Sequence, residues 1–303
     1  QITMPYLIWR ERINLMNIPH FNVPFFSKAK FVVTIHDLIL TKFHSQRSRT
    51  LTPITYRIKY FFYNLIITSA VKKSEKIIAV SRFTKDDIVK NFKINKEKVI
   101  VTHEGVSDKL LSDDNFSESD ILKKYQISKP FSMDVGNAYP HKNLEGLIDE
   151  FSKIQDEYQD LSLVLVGGED YFYKRLKELV VGRDMDRIIF TGFVSDEELS
   201  VLYKAAKAYI FPSKFEGFGL PPLEAMAQGC VVISSNKTCL PEILGGAAIY
   251  FDPDKTDWLA DALKELENKE EIDRLIETGL KQAKKYSWSN CVDQTRRIYN
   301  DLL

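Results

Sequence analysis

Nine short apolar runs, most of them separated by stretches that read as helix, constrain this chain more than any other feature. They cover residues 31–35, 76–80 and 98–102 in the first half, and 131–135, 162–166, 187–191, 208–211, 231–234 and 248–251 in the second. Runs that are apolar throughout, rather than at every second residue, suit strands covered on both faces, and parallel strands need a crossover long enough for a helix. Between them, Leu144, Leu147, Ile148 and Phe151 recur at i, i+3, i+4 and i+7, and residues 172–181, 196–206, 257–266 and 269–284 follow the same spacing. The pattern predicts an α/β protein built from βαβ units.

At 303 residues the chain suits two domains of common size. Residues 107–130 are polar and lead into a fresh strand, which places the expected boundary near residue 129. The first domain is then 1–129 and the second 130–303, the latter ending in an amphipathic segment over 288–303. Two doubly wound domains facing each other would take ligand where strand C-termini line a cleft, and every motif below lies at such a strand end.

The most informative stretch is PSKFEGFGLPPLEAMAQG, with Glu216 and Glu224 eight residues apart. Pro221 and Pro222 suit the start of a helix and Gly229 the position past its end, so a short helix is expected near 222–228. Its N-terminus points to the turn Gly217-Phe218-Gly219, where backbone N–H groups and the helix dipole would favour an anion. Two carboxylates flanking an anion site are acceptors for hydroxyl groups, a combination that sugar hydroxyls beside a diphosphate satisfy. Taken singly, Glu216 reads equally as a solvated loop charge and Glu224 as a residue favoured by the helix dipole.

Other turns follow the same logic. After the run 131–135 come Gly136, Asn137, His141, Lys142 and Asn143 before a helix, a small turn with a cation at a helix entry that suits phosphate. Gly167 and Gly168 follow the run 162–166. Gly192 and Phe193 precede Ser195 and Asp196, either of which would cap the next helix, and a base could stack on the loop.

These residues together, above all Glu216-Gly-Phe-Gly-Leu-Pro…Glu224-Ala-Met-Ala…Gly229, resemble the bacterial retaining glycosyltransferases of family four, over roughly residues 18–303 and most strongly over 131–253. The resemblance implies a GT-B fold and a nucleoside-diphosphate sugar donor, GDP- or UDP-linked, held mainly by the second domain. It also implies residue roles. Glu216 would meet the donor-sugar hydroxyls, with the amides of Gly217, Phe218, Gly219 and Leu220 toward sugar and diphosphate; Glu224 would accept from the ribose. Lys142 would neutralise the departing diphosphate, with Gly136, Asn137, Gly167 and Phe193 completing the donor site. Many members carry Arg where this chain has Asn137, so charge stabilisation rests more on Lys142 and the helix terminus. In the first domain His36 would lie near the donor sugar and β-phosphate, Arg82 would be a minor phosphate contact, and residues 103–106 match the family's last turn of that domain.

The implied reaction is transfer of a mannose- or glucose-type hexose to a glycan or lipid-linked acceptor, with retention and without a protein nucleophile. The departing phosphate helps remove the acceptor proton, and the protein positions groups and stabilises developing charge. The pathways implied are bacterial polysaccharide, capsule or lipopolysaccharide synthesis. Asp252 and Asp254 have the spacing of a metal-binding pair, but the turn resembles the family's FDP ending, so no metal and no cofactor are expected. Two alternatives stay open: a non-catalytic sugar-nucleotide-binding partner of another transferase, and another GT-B enzyme such as a sugar-nucleotide epimerase.

Charge is balanced overall, 42 basic against 42 acidic residues, but residues 1–74 hold eleven Lys or Arg and two acids, and 38–74 hold no acid. This stretch reads either as a solvated helix face or as a surface for an anionic membrane or lipid-diphosphate acceptor, with aromatics at the interface. Three cysteines without CxxC spacing argue against a disulfide scaffold. A cytoplasmic protein, peripheral at the inner face of the plasma membrane, is expected. Residues 1–16 lack a strand-like start, residues 1–30 enter mid-pattern, and the usual first βαβ segment of the N-terminal domain is absent from the pattern. The expectation is that these residues alone hold donor but transfer sugar poorly.

Overall fold

A computed structural model describes residues 3–26, 29–43, 53–107 and 116–303; part of the basic stretch (44–52) and of the polar connection (108–115) lies outside the described residues. The chain divides into two compact units, residues 1–104 with 288–303, and residues 105–287. The first contains α1 (Thr3–Arg10), β1 (Leu15–Ile18), β2 (Lys30–Ile35), α2 (Ile39–Lys42), α3 (Pro53–Lys73), β3 (Lys76–Ala79), α4 (Arg82–Phe92) and β4 (Val99–Val101). Its four strands are all parallel, in the order β1-β2-β3-β4. Val33, Ile35, Ile67, Val71, Ile77, Ala79 and Ile88 form one core.

The second unit contains α5 (Glu118–Lys124), β5 (Phe131–Val135), α6 (Leu144–Ile154), β6 (Ser162–Val166), α7 (Tyr171–Val181), β7 (Ile188–Gly192), α8 (Asp196–Ala205), β8 (Ala208–Phe211), α9 (Leu220–Ala227), β9 (Val232–Ser235), α10 (Leu240–Leu244), β10 (Ala248–Phe251), α11 (Trp258–Glu265) and α12 (Lys269–Ala283). The sheet is parallel throughout, in the order β10-β9-β8-β5-β6-β7. That is the doubly wound Rossmann order, and the direction of winding reverses between β5 and β8. Every residue of β6 is buried, as expected where helices cover both faces. Leu147, Phe151, Leu163, Leu165, Ile210 and Ile233 pack in one core, at whose edge Phe251 and Trp258 stack with centroids 3.8 Å apart.

The expected strands agree with these to within a residue at either end. Several elements have no counterpart in the sequence pattern, among them α1, β1, α5 and α10, and β1 corrects the expectation that the strands begin at residue 31. β1 is four residues long with Asn17 exposed within it, too little apolar length to stand out. The division also falls elsewhere than residue 129. Residues 105–129 group with the second unit because α5 docks on α8: Lys124 and Tyr125 both reach Glu198, the hydroxyl at 2.7 Å. The last helix, α13 (Trp288–Asn300), groups with the first unit because Ile298 packs on Val32 of β2 and Ile78 of β3.

Candidate functional site

In a doubly wound sheet the loops leaving the two strands at the reversal diverge and open a crevice between them. Here those loops are Gly136–Asn143 after β5 and Pro212–Gly219 after β8. They are tied together at their base: the His141 carbonyl accepts from Lys214 N at 2.7 Å and from Ser213 Oγ at 3.2 Å.

The same geometry brings Lys142 and Glu216 together. Lys142 closes a short 3₁₀ turn (Pro140–Lys142), Asn143 takes a left-handed φ of 59°, and α6 begins. The ammonium lies 5.1 Å from the centre of the Phe211 ring and 2.8 Å from Glu216 Oε1. That oxygen is buried, and no donor is aligned with it for a hydrogen bond, so the contact is an ion pair with acceptor capacity to spare.

Segment Lys237–Cys239 braces the Glu216 loop from behind. Thr238 Oγ1 accepts from Glu216 N at 3.1 Å, and the Cys239 thiol lies 3.3 Å from the Glu216 carbonyl and 3.2 Å from that of Phe218. Gly219 caps α9 with φ of 100°, where a Cβ would also approach Leu240 Cδ2 to 2.9 Å.

The helix differs from expectation in its start, at Leu220 rather than 222, and Pro221 and Pro222 occupy its first turn as expected. Proline has no N–H, so the first turn has only the Leu220 amide to offer an anion, beside that of the Gly219 cap.

Glu224 projects from α9 toward α8. Burial, with Asp196 adding its charge, pushes its carboxyl up to about 7, against a small opposing pull from Tyr203. The Tyr203 hydroxyl is buried beside it without a well-aligned hydrogen bond. Phe193 lies past the end of β7 with 83% of its surface exposed, an open ring face. Gly167, after β6, has a packing reason to be glycine: a Cβ there would lie 2.1 Å from the Gly136 carbonyl oxygen and 2.3 Å from the Tyr173 hydroxyl. Tyr173 donates to that same carbonyl at 3.0 Å, so the Gly136 turn is held from beneath.

Asp134 was not anticipated. It lies on β5, 4% exposed, and burial pushes its carboxyl up to about 7, with Lys142 opposing and Glu216 reinforcing the shift. The signal was a charge inside an otherwise buried strand, FSMDV. Asp252 and Asp254 are both paired with lysines, Asp252 with Lys237 at 2.7 Å and Asp254 with Lys214 at 2.9 Å. Among the described residues no group of three or more His, Cys, Asp or Glu is placed to hold a metal ion.

In the first unit His36 follows β2. Its Nδ1 is 2.8 Å from Glu104 Oε1 and its Nε2 3.0 Å from the Pro19 carbonyl oxygen. Ser81 caps α4 by accepting from Thr84 N.

Residues 117–282 match the family described as glycosyl transferases group 1, and residues 6–110 match glycosyltransferase family 4. The chain is 30% identical to O-antigen chain mannosyltransferase B of Escherichia coli over 285 residues, covering 93% of this chain and 72% of that protein. It is 30% identical over 247 residues to the O-antigen chain mannosyltransferase RfbU of Salmonella typhimurium, covering 80% of this chain and 66% of the relative. The chain thus spans roughly two thirds to three quarters of these relatives. Among solved structures, Anabaena HepE in complex with UDP-glucose superposes with a TM-score of 0.78 at 17% identity, over 95% of this chain and 79% of that one.

Proposed function

The chain belongs to the glycosyl transferases group 1 family, and we propose that it moves a mannose- or glucose-type hexose from a GDP- or UDP-linked donor to a glycan or lipid-linked acceptor, with retention of configuration. The fold is GT-B, and the family and its mannosyltransferase members place the chain among glycosyltransferases that use nucleotide sugars. The observation that carries the finer reading is the Lys142–Glu216 pair at the strand-order reversal, with a buried carboxylate oxygen still able to accept a hydrogen bond.

In this reading the diphosphate takes the place of Glu216 as counter-ion to Lys142, and Glu216 turns its acceptors to the sugar hydroxyls. Glu224 accepts from the ribose hydroxyls, and the exposed ring of Phe193 stacks on the base. As the glycosidic bond lengthens, negative charge grows on the leaving phosphate, where a preplaced ammonium and the amides around Gly219 stabilise it most. The phosphate in turn accepts the acceptor's proton on the same face, so no protein base is needed. Relatives named for O-antigen chains favour mannose and a bacterial cell-surface polysaccharide.

Contact with an anionic membrane is part of the proposal. Ile54, Ile58, Phe61, Phe62 and Leu65 of α3 are all exposed, next to Arg57, Lys59, Lys72 and Lys73. Among the described residues no helix is long and apolar enough to cross a membrane. An interfacial helix of this composition gains from both apolar insertion and anionic lipid.

Replacing Glu216 by Ala tests the assignment. An enzyme loses sugar transfer; a non-catalytic partner of another transferase leaves the activity of the complex intact.

A further inference from the structure

The ring of His36 is held between two acceptors. Its nitrogens approach a carboxylate oxygen of Glu104 at 2.8 Å and the carbonyl oxygen of Pro19 at 3.0 Å. Neutral imidazole has one N–H, so in either tautomer one nitrogen lone pair would face an oxygen lone pair. Only imidazolium, with an N–H on each side, satisfies both contacts. The clamp is assembled from three strand ends, since Pro19 follows β1, His36 follows β2 and Glu104 lies three residues beyond β4.

The charged neighbours act in the same direction. Glu104 raises the affinity of His36 for a proton through the hydrogen bond and through its charge; burial opposes, and the Pro19 carbonyl and Asp37 add to the rise. His20 is held below its ordinary value by burial and then by His36, so the second imidazole yields the proton to the first. From α4, Thr84 Oγ1 donates to the His36 carbonyl at 3.4 Å. The His36 side chain is 44% exposed, so a ligand can meet the ring, whereas Glu104 is 15% exposed and sits behind it.

We propose that Glu104 is a positioning residue that holds His36 as imidazolium to higher pH than a free imidazole, so that the first unit presents a positive charge, matched to a phosphate oxygen, at the C-terminal edge of its sheet. Both N–H groups are engaged within the unit, so His36 acts through charge rather than through a free donor. The choice of phosphate as ligand rests on the nucleotide-sugar reading above; the clamp itself does not.

The test is a proton NMR titration of the His36 Hε1 resonance in the wild type, Glu104→Gln and Glu104→Asp, with kcat/KM for transfer followed across the same pH range. The wild-type midpoint should lie above 6.5, fall by about one unit or more in Glu104→Gln, and largely recover in Glu104→Asp. The basic limb of kcat/KM should move toward acid in Glu104→Gln by a matching amount. A wild-type midpoint at or below 6.5, or an unchanged midpoint in folded Glu104→Gln, overturns the proposal. Because the titration needs no substrate, it stands or falls separately from the nucleotide-sugar reading: a correct titration with no transfer at any pH counts against that reading alone. A correct titration with a pH profile unmoved by Glu104→Gln overturns the catalytic use of the charge.

Discussion

Lys142 Nζ and Glu216 Oε1 stand 2.8 Å apart across the two loops that leave β5 and β8, with side chains only 16% and 11% exposed. Each therefore compensates the other's desolvation. Removing one partner leaves a largely buried charge, whereas removing both does not. Lys142→Met and Glu216→Gln should each cost about 1–3 kcal/mol of unfolding free energy, and the double variant less than their sum. Urea unfolding of the four proteins measures the coupling; strict additivity would mean that the pair contributes nothing jointly.

Lys142→Met should also lower kcat by about 10²–10³-fold, the usual loss on deleting one preplaced group that stabilises developing charge. Steady-state kinetics with saturating donor isolates this from binding. A change confined to KM would assign Lys142 to ground-state binding.

Glu224 gives a pH dependence of definite sign. Its carboxyl titrates near 7 in the folded chain, above the ordinary 4.5, because burial disfavours the charged form. Only the carboxylate offers both oxygens to ribose hydroxyls, so donor affinity should weaken as pH falls from 8 to 6, and Glu224→Gln should be weak and flat across that range. Calorimetric titration with the nucleoside diphosphate checks it; a wild type that binds more tightly at pH 6 contradicts the assignment.

Asp134 makes the matching prediction for stability. Its folded value of about 7 lies above the ordinary 3.8, so the folded chain keeps a proton that the unfolded chain releases between about 4 and 7. Stability from this group therefore falls as pH rises through that window, and Asp134→Asn should be more stable than wild type at pH 8 by on the order of a few kcal/mol, converging with it near pH 4. Thermal melts at the two pH values decide. A less stable variant at pH 8 would mean that Lys142 more than compensates the buried charge.

Gly167→Ala should damage a turn it does not belong to. The added Cβ collides with the Gly136 carbonyl and the Tyr173 hydroxyl, one of which is backbone, so the Gly136 turn must move. A lower Tm and weaker donor binding are expected together; an unchanged donor affinity would detach Gly136 from the site.

The α3 surface predicts flotation with vesicles rich in anionic lipid at low salt, lost at high salt and in Phe61→Ser/Phe62→Ser. Each Lys or Arg near such a surface adds about 1 kcal/mol. A protein that stays with the soluble fraction at low salt rules the contact out.

Much of the fold was legible because strands buried on both faces are written as apolar runs, as 163–166 shows. Glu216, Glu224 and Lys142 were legible because they sit in short motifs beside glycine and proline. Long-range partners were not. Glu104 lies 68 residues from His36, and nothing near either announces the clamp. Asp134 gave a signal, a charge within a strand, whose meaning depended on Lys142 and Glu216 arriving from other loops. The edge strand β1 was lost to its length, and Ile298 could be assigned to the first unit only once the chain had returned to it.

Whether the loops after β5 and β8 hold a nucleoside-diphosphate sugar is read by thermal shift with GDP-mannose, UDP-glucose and dTDP-glucose. A ligand at a hundred times its Kd stabilises the folded state by about 2.7 kcal/mol. One of the three should raise the Tm by several degrees in the wild type and leave Lys142→Met/Glu216→Ala nearly unmoved. No shift with any of them, or an equal shift in the double variant, would mean that these loops do not hold the donor.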